Sequence, residues 1–492
     1  MTIPVKRILR HFILFMLAAL GPAAGAVTSL NLPDIGDSTG TIMSPEYERR
    51  LGQAFLNQIR HQADIINDPE VETYIRSIGY RLVSNSDNNT QLFTFFVIND
   101  PQINAFAAPG GIVGINSGTI INSATESELA GVMAHEISHV TQKHMARSAE
   151  MSQKMSIPLM AAMLGAILVA SQNPEAGKAA LMAVQGGMAQ AQINFTRENE
   201  EEADRVGMQL LARSDFNPEG MPDFFQKLQQ NSRYTAQAPE FLRTHPLTTN
   251  RIADSRARAE SYPISKHYEE SRMYGLIRAK LIARSYKNPN EAVAYFRDEV
   301  AKKEYTDDIR EARYGYAIAL MRAAQYSKAR EQLDALLATD NENTTYLLAR
   351  ANLEVQEGNF GNALQIYAHM NKLYPDYRPL VLAYTETLLS AKRPKEARDL
   401  LKRYGKYNDT DIVYYNYLAR AEAEAGNPVE SSIANAEYYY LTGETRVAIE
   451  QLKYVLRQPT PRPDYYQSER IQSRLAFYEQ ELEIEKDLKL VR

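Results

Sequence analysis

The sequence predicts an α+β, mainly helical fold in two parts: a first domain with a small sheet, then an all-α solenoid of helical repeats. Three observations predict it. Short apolar runs of strand type, such as Leu92 to Ile98, stand among amphipathic helical stretches in the first half. All but four of the 30 tyrosines lie at or after Tyr262. Downstream of that point small residues recur at a spacing of 34, from Ala329 to Ala363 to Ala397.

The 492 residues exceed what one core holds. The expected division is an export segment over 1–26, a first domain over 27–262 and a repeat domain over 263–492. Lys6, Arg7 and Arg10 precede the apolar run Phe12 to Leu20. Gly21 and Pro22 break that run, and Ala24-Gly25-Ala26 follows as a small-residue cleavage site. The mature chain would begin near Val27, outside the cytoplasm. Ile157 to Ala170 is nearly all apolar, but fourteen residues with Pro158 suit a buried or interfacial helix better than a membrane span. Seven of the 16 methionines lie between Met145 and Met188, as a flexible filler or an adaptable apolar surface. A net charge of -5 gives no reason to expect nucleic acid. Cysteine is absent, which excludes disulfides, a thiol nucleophile and thiolate metal sites. Any metal must be held by His, Asp or Glu.

Along the first domain, Ser44-Pro45-Glu46 and Asp68-Pro69-Glu70 each open an amphipathic helix, with proline where its missing N–H costs nothing. Leu92 to Ile98 reads as a buried strand. Gly111, Ile112, Val113 and Gly114 read as part of a second, glycine-bearing strand. As a sheet edge, it could take an extended substrate through main-chain hydrogen bonds; as an internal strand, it could not. Thr125-Glu126-Ser127-Glu128 is a capping box opening the next helix.

That helix carries His135-Glu136-x-x-His139. Histidines four apart face the same way, so two imidazoles can reach one zinc ion. Glu136 stands beside them as a general base for a water that zinc acidifies. A third ligand is needed. Asn199 to Asp204 supplies three adjacent glutamates, with Glu200 and Asp204 on one helix face. Spacing leaves the choice among them open. Asp204 suits an outer role, accepting the N–H of a ligating histidine. His245, stiffened by the following proline, could stabilise an oxyanion or close the site as a fourth ligand. Arg251 would help hold the group together. His61, His144, His267 and His369 show no partner pattern and read as ordinary residues.

The repeat half places a large residue four after each small one: Phe296 after Ala292, Leu333 after Ala329, Tyr367 after Ala363, Leu401 after Ala397. Ala351 and Pro375 flank Ala363 at twelve on either side, and Ala448 with Leu452 continues less regularly. The period resembles the tetratricopeptide repeat, whose solenoids form concave surfaces for peptides and proteins.

His135 to His139, Glu200-x-x-Ala203-Asp204 and His245-Pro246 to Arg251 together resemble the three signatures of one zinc peptidase family, that of the CAAX prenyl endopeptidases and bacterial membrane heat-shock proteases. Asn104 to Gly111 resembles the segment preceding its zinc helix. The resemblance implies a zincin-like metallopeptidase domain over roughly residues 45 to 260, one zinc per chain, Glu200 as third ligand and His245 as a participant. The export segment and repeats in place of membrane helices are similar to periplasmic members of that family. They imply unfolded or stalled outer-membrane proteins as clients, the barrel-assembly machinery as a partner of the repeats, and a peripheral membrane contact. Two rivals stand beside this expectation. One is a repeat-based chaperone with a structural or self-inhibited zinc domain. The other is a zinc amidase acting on cell-wall peptides.

Overall fold

The structure, a computed structural model, describes residues 44–87, 92–151, 174–234, 239–263, 271–303, 309–405, 411–458 and 461–487. The export segment over 1–26 and the apolar run Ile157 to Ala170 lie outside the described residues. Helix α1 (Pro45–Gln62) begins where the Ser44 hydroxyl accepts the Tyr47 N–H at 3.2 Å. Helix α2 (Pro69–Ser84) begins where Asp68 accepts the N–H groups of Glu70 and Val71 at 3.1 and 3.2 Å. Strands β1 (Thr94–Ile98), β2 (Ala105–Ala108) and β3 (Ile112–Asn116) follow, then the short helix α3 (Ser117–Asn122). Leu92 stands outside β1 and is exposed, so the first strand is shorter than its apolar run.

The sheet order is β1-β3-β2. β3 runs parallel to β1, with Phe95 opposite Val113, and antiparallel to β2, with Phe106 opposite Gly114. Of the two readings of Gly111, Ile112, Val113 and Gly114, the internal strand is the one observed, and the substrate-binding edge expected there is corrected. Ile112 to Gly114 lie in the central strand, every residue of β3 is buried, and Gly111 belongs to the turn before it. Both hydrogen-bonding sides of β3 are taken, and no further strand can add there. Among the described residues, no strand pairs with the other side of β2, which lies beside the next helix.

Helix α4 (Glu126–Thr141) is capped by Thr125, which accepts the Glu128 N–H at 3.2 Å, while the Glu128 carboxylate accepts the Ala124 N–H. The box closes one residue earlier than the sequence pattern predicts. α4 is buried on nearly all sides, between the sheet and helices α5 (Pro174–Arg213) and α6 (Gly220–Tyr234). Gly207 lets α5 cross α4 closely: a Cβ there would stand 3.1 Å from the His135 backbone nitrogen. Helices α7 (Glu240–Thr244) and α8 (Thr249–Ala259) complete this half.

The second half is twelve helices among the described residues: α9 (Arg272–Ser285), α10 (Pro289–Lys302), α11 (Ile309–Arg322), α12 (Tyr326–Leu337), α13 (Thr344–Gln356), α14 (Phe360–Leu373), α15 (Arg378–Ser390), α16 (Pro394–Tyr404), α17 (Ile412–Glu424), α18 (Pro428–Leu441), α19 (Thr445–Arg457) and α20 (Tyr465–Asp487). The recurring small residues are fully buried: Ala292, Ala329, Ala363 and Ala397. Ser431, 34 after Ala397, holds the same place on α18. The turn inside successive pairs uses a left-handed residue at the same period: Ala324, Gly358, Lys392 and Gly426.

The halves are joined by more than the chain. Tyr274, Ile277 and Leu281 of α9 enter the same core as Leu129, Met133 and Ile137 of α4. Lys280 sits between Asp68 and Glu70 at 2.8 and 2.7 Å. Arg378 of α15 reaches Glu72 at 3.0 Å and Asp411 at 2.6 Å. Farther along, Arg60 donates to the Leu441 carbonyl at 3.2 Å, and Arg50 pairs with Glu481 at 3.0 Å. The array thus curls back along α1 and α2. No helix of the described residues is long and apolar enough to cross a membrane.

Candidate functional site

Helical spacing puts His135 and His139 on the face of α4 that meets α5, and α5 presents Glu200 and Asp204 back to them. The loop after α7 adds His245, whose N–H bonds the Phe241 carbonyl at 2.8 Å and whose ring stacks on Phe241. His135, His139, Glu200 and His245 each offer one donor atom, all within 4.8 Å of one another. His135 Nε2 lies 3.1 Å from His139 Nε2 and 3.3 Å from His245 Nδ1. Glu200 Oε1 lies 3.0 Å from His245 Nδ1 and 3.4 Å from His139 Nε2.

This donor set fits a metal ion. Ligands held tetrahedrally at about 2.0 Å stand about 3.3 Å apart, close to the 3.0 to 3.4 Å of the four pairs above. Three ring nitrogens converging on one point cannot all be satisfied by protons shared among themselves; a cation satisfies them together. Three imidazoles and a carboxylate, without sulfur, suit a borderline ion.

Glu136 is buried beside the cluster, its Oε1 3.5 Å from His245 Nε2 and without a hydrogen-bond partner. Asp204 Oδ1 lies 3.0 Å from His135 Nδ1. Arg251 grips both Asp204 oxygens at 2.7 and 2.8 Å, reaches Glu200 Oε2 at 2.9 Å, and donates to the Pro246 carbonyl at 2.8 Å. One guanidinium thus ties the acids of α5 to the loop that carries His245. Electrostatics follow. Burial opposes charge on His135, but Asp204 and Glu200 outweigh it and push its pKa up to about 10. Burial, then the neighbouring His135, hold His139 well below the usual range. Burial would raise Glu200, but His245 and His135 hold it well below the carboxylate range.

The structure gathers His135, Glu136, His139, Glu200, Asp204, His245 and Arg251 in one place. Gly111 to Gly114 are not among the clustered donors; they lie in and before the central strand. His61 and His369 are exposed, as ordinary surface residues are. His144 is not ordinary: its Nδ1 lies 2.9 Å from His139 Nδ1, and its Nε2 lies 3.2 Å from Glu202. The sequence signal that could have found it is a third histidine five residues after the second.

Known proteins share these features. Residues 69–259 match peptidase family M48, and residues 354–421 match a tetratricopeptide repeat. The chain is 38% identical over 422 residues to the beta-barrel assembly-enhancing protease of Escherichia coli K12, covering 86% of each chain. It is 35% identical over 421 residues to that of Yersinia pestis, covering 85% of this chain and 86% of the other. The mitochondrial metalloendopeptidase OMA1 of Schizosaccharomyces pombe is 24% identical over 213 residues, 43% of this chain and 60% of that one.

Proposed function

The chain belongs to peptidase family M48 and is a metalloendopeptidase, and on that premise we propose that it is a periplasmic zinc endopeptidase acting on outer-membrane barrel proteins that stall or misfold. The observation that carries the reading is the four-donor cluster with Glu136 beside it. His135 and His139 through Nε2, Glu200 through its carboxylate and His245 through Nδ1 would hold the zinc ion. Bound zinc supplies Lewis acidity toward water and the scissile carbonyl. Glu136 takes the proton of the attacking water on its unpartnered oxygen and returns it to the leaving amine. His245 moves out of the cluster to admit substrate, and there stabilises the oxyanion. Asp204 accepts from His135 Nδ1 and fixes the ring; Arg251 fixes Asp204.

An extended substrate adds to the outer edge of β2. Asn104 and Asn116 form a hydrogen-bonded pair, since the Asn116 N–H meets the Asn104 carbonyl at 2.9 Å. By alternation the backbone groups of Ala105 and Ala107 then point away from β3. Ile103, which points the same way, already accepts the Phe241 N–H. Such docking reads little sequence, as misfolded β-rich clients require. The named role of the relatives supports barrel proteins as clients, the assembly machinery as partner of the repeats, and the envelope as location. The sequence of residues 1–26 supports export.

The test is cleavage of an unfolded outer-membrane barrel protein by the mature chain and by Glu136→Gln and His245→Ala, with zinc content measured in each. Glu136→Gln is expected to keep zinc and lose at least about 100-fold in rate. His245→Ala is expected to shift cleavage at unchanged fold. A Glu136→Gln protein that still cuts overturns the mechanism. A second reading has one observation in its favour: His245 fills the fourth position. On it the chain is a self-inhibited protease whose repeats act as a chaperone, and barrel assembly would survive Glu136→Gln.

A further inference from the structure

We infer that His144, backed by Glu202, is the residue that positions His139 for the metal. The inference rests on the reading of His139 as a ligand through Nε2. A neutral imidazole that gives Nε2 to a cation carries its proton on Nδ1. In His139 that atom lies 2.9 Å from His144 Nδ1. His139 therefore donates and His144 Nδ1 accepts. This forces the proton of His144 onto Nε2, which lies 3.2 Å from Glu202 Oε2. Glu202 accepts it, and accepts Arg147 Nη1 at 2.6 Å as well. Each atom along the path has one role left to it.

The arrangement repeats, with one extra member, the support behind the other histidine. His135 is backed by Asp204, and Asp204 by Arg251. His139 is backed by His144, then Glu202, then Arg147. Helix α5 supplies all three acids at alternate positions: Glu200 to the cluster, Asp204 behind His135, and Glu202 behind His139. Glu202 lies half a turn away from the face of the other two. It would be a solvated acid if His144 and Arg147, in the helical residues after α4, did not come round to meet it. His144 is 3% exposed, a burial that a histidine without partners does not sustain.

The experiment measures zinc affinity by chelator competition, and the visible spectrum of the cobalt-substituted protein, for the full chain and for His139→Ala, His144→Leu, His144→Asn and Glu202→Ala. Removing an outer hydrogen bond to a ligand lowers metal affinity by about 10–100-fold. His144→Leu is expected to show that loss and a shifted cobalt spectrum. His144→Asn, whose side-chain oxygen can accept from His139 Nδ1, is expected to recover most of both. A merely structural role would move neither the spectrum nor its rescue. If His144→Leu does not fold, Glu202→Ala decides: a several-fold loss supports the relay, and parental affinity overturns it. If His139→Ala loses zinc while His144→Leu keeps parental affinity and spectrum, the positioning role is wrong and the ligand reading stands. If His139→Ala itself keeps zinc, the ligand reading has failed and this inference with it.

Discussion

Arg251 shows how one side chain can organise a site it does not enter. It is buried, and its nitrogens engage Asp204, Glu200 and the Pro246 carbonyl at once. Burial would lower its pKa, but Asp204 and then Glu200 raise it further above its ordinary value, so it stays charged. A lysine keeps the charge, but its three N–H groups radiate from one nitrogen; without the planar fork it cannot span both Asp204 oxygens, Glu200 and the Pro246 carbonyl at once. Arg251→Lys is expected to lower kcat/KM by about 100-fold at unchanged zinc content; parental kinetics would show that the grip is dispensable. The pairing of His135 with His139 was legible because helical period puts residues four apart on one face; period also put Glu200 and Asp204 on one face, but the choice of Glu200 among three adjacent glutamates rested on the family resemblance. The place of His144 was not legible. It follows a turn in which Lys143 takes a left-handed conformation at φ 55°. The direction of the next side chain hangs on that torsion, and lysine does not announce it.

Among the elements, the small sheet sets which edge the proposed substrate docking can use. Period and composition identified two strands, but the side-chain alternation of a strand says nothing about its neighbours. The glycine-bearing β3 proves central because β1 and β2 both pair with it, a property of the connections rather than of Ile112 to Gly114. The two strands therefore answer differently to proline. At Ala107, whose N–H points outward, proline removes one bond available to substrate and spares the sheet. Ala107→Pro is expected to lower kcat/KM about 10-fold with an unchanged melting curve. Val113→Pro breaks a paired, buried strand and is expected to cost about 3 kcal/mol or more of stability. Circular-dichroism melts beside peptidase assays separate the two; equal losses of fold would rule out the β2 edge. The repeat helices were legible from their buried alanines. The continuation at Ser431 was hidden because a hydroxyl stands where a methyl was sought.

At the scale of the molecule, the 34-residue period foretold an array but not its return onto α1 and α2, because the charges that pair there are hundreds of residues apart. Arg378 holds such a junction. Burial would raise the pKa of Asp411, but the Arg378 guanidinium holds it below the usual range. Folding therefore gains from that carboxylate above its unfolded pKa, about 3.9, and loses the gain as pH falls through the lower folded value. Arg378→Ala leaves the half-buried Asp411 without its ion-pair partner, though still accepting the Val413 and Tyr414 N–H groups, a cost of up to about 3 kcal/mol near neutrality. The chain has no tryptophan, so tyrosine fluorescence reports chiefly on the repeats. The urea midpoint of the variant should lie below that of the parent at pH 7, with the gap narrowing below about pH 4; a pH-independent gap would remove Asp411 from the account. Arg50 carries a different consequence, one of timing. Its partner Glu481 follows it by 431 residues, so in a chain exported N-terminus first the clasp closes only after nearly all of it has been delivered. Until α20 arrives, α1 keeps that guanidinium with Glu46 as its one remaining ion-pair partner among the described residues. A chain cut short before α20 never acquires that clasp, and so the opening helix of the peptidase half records whether its repeats were finished.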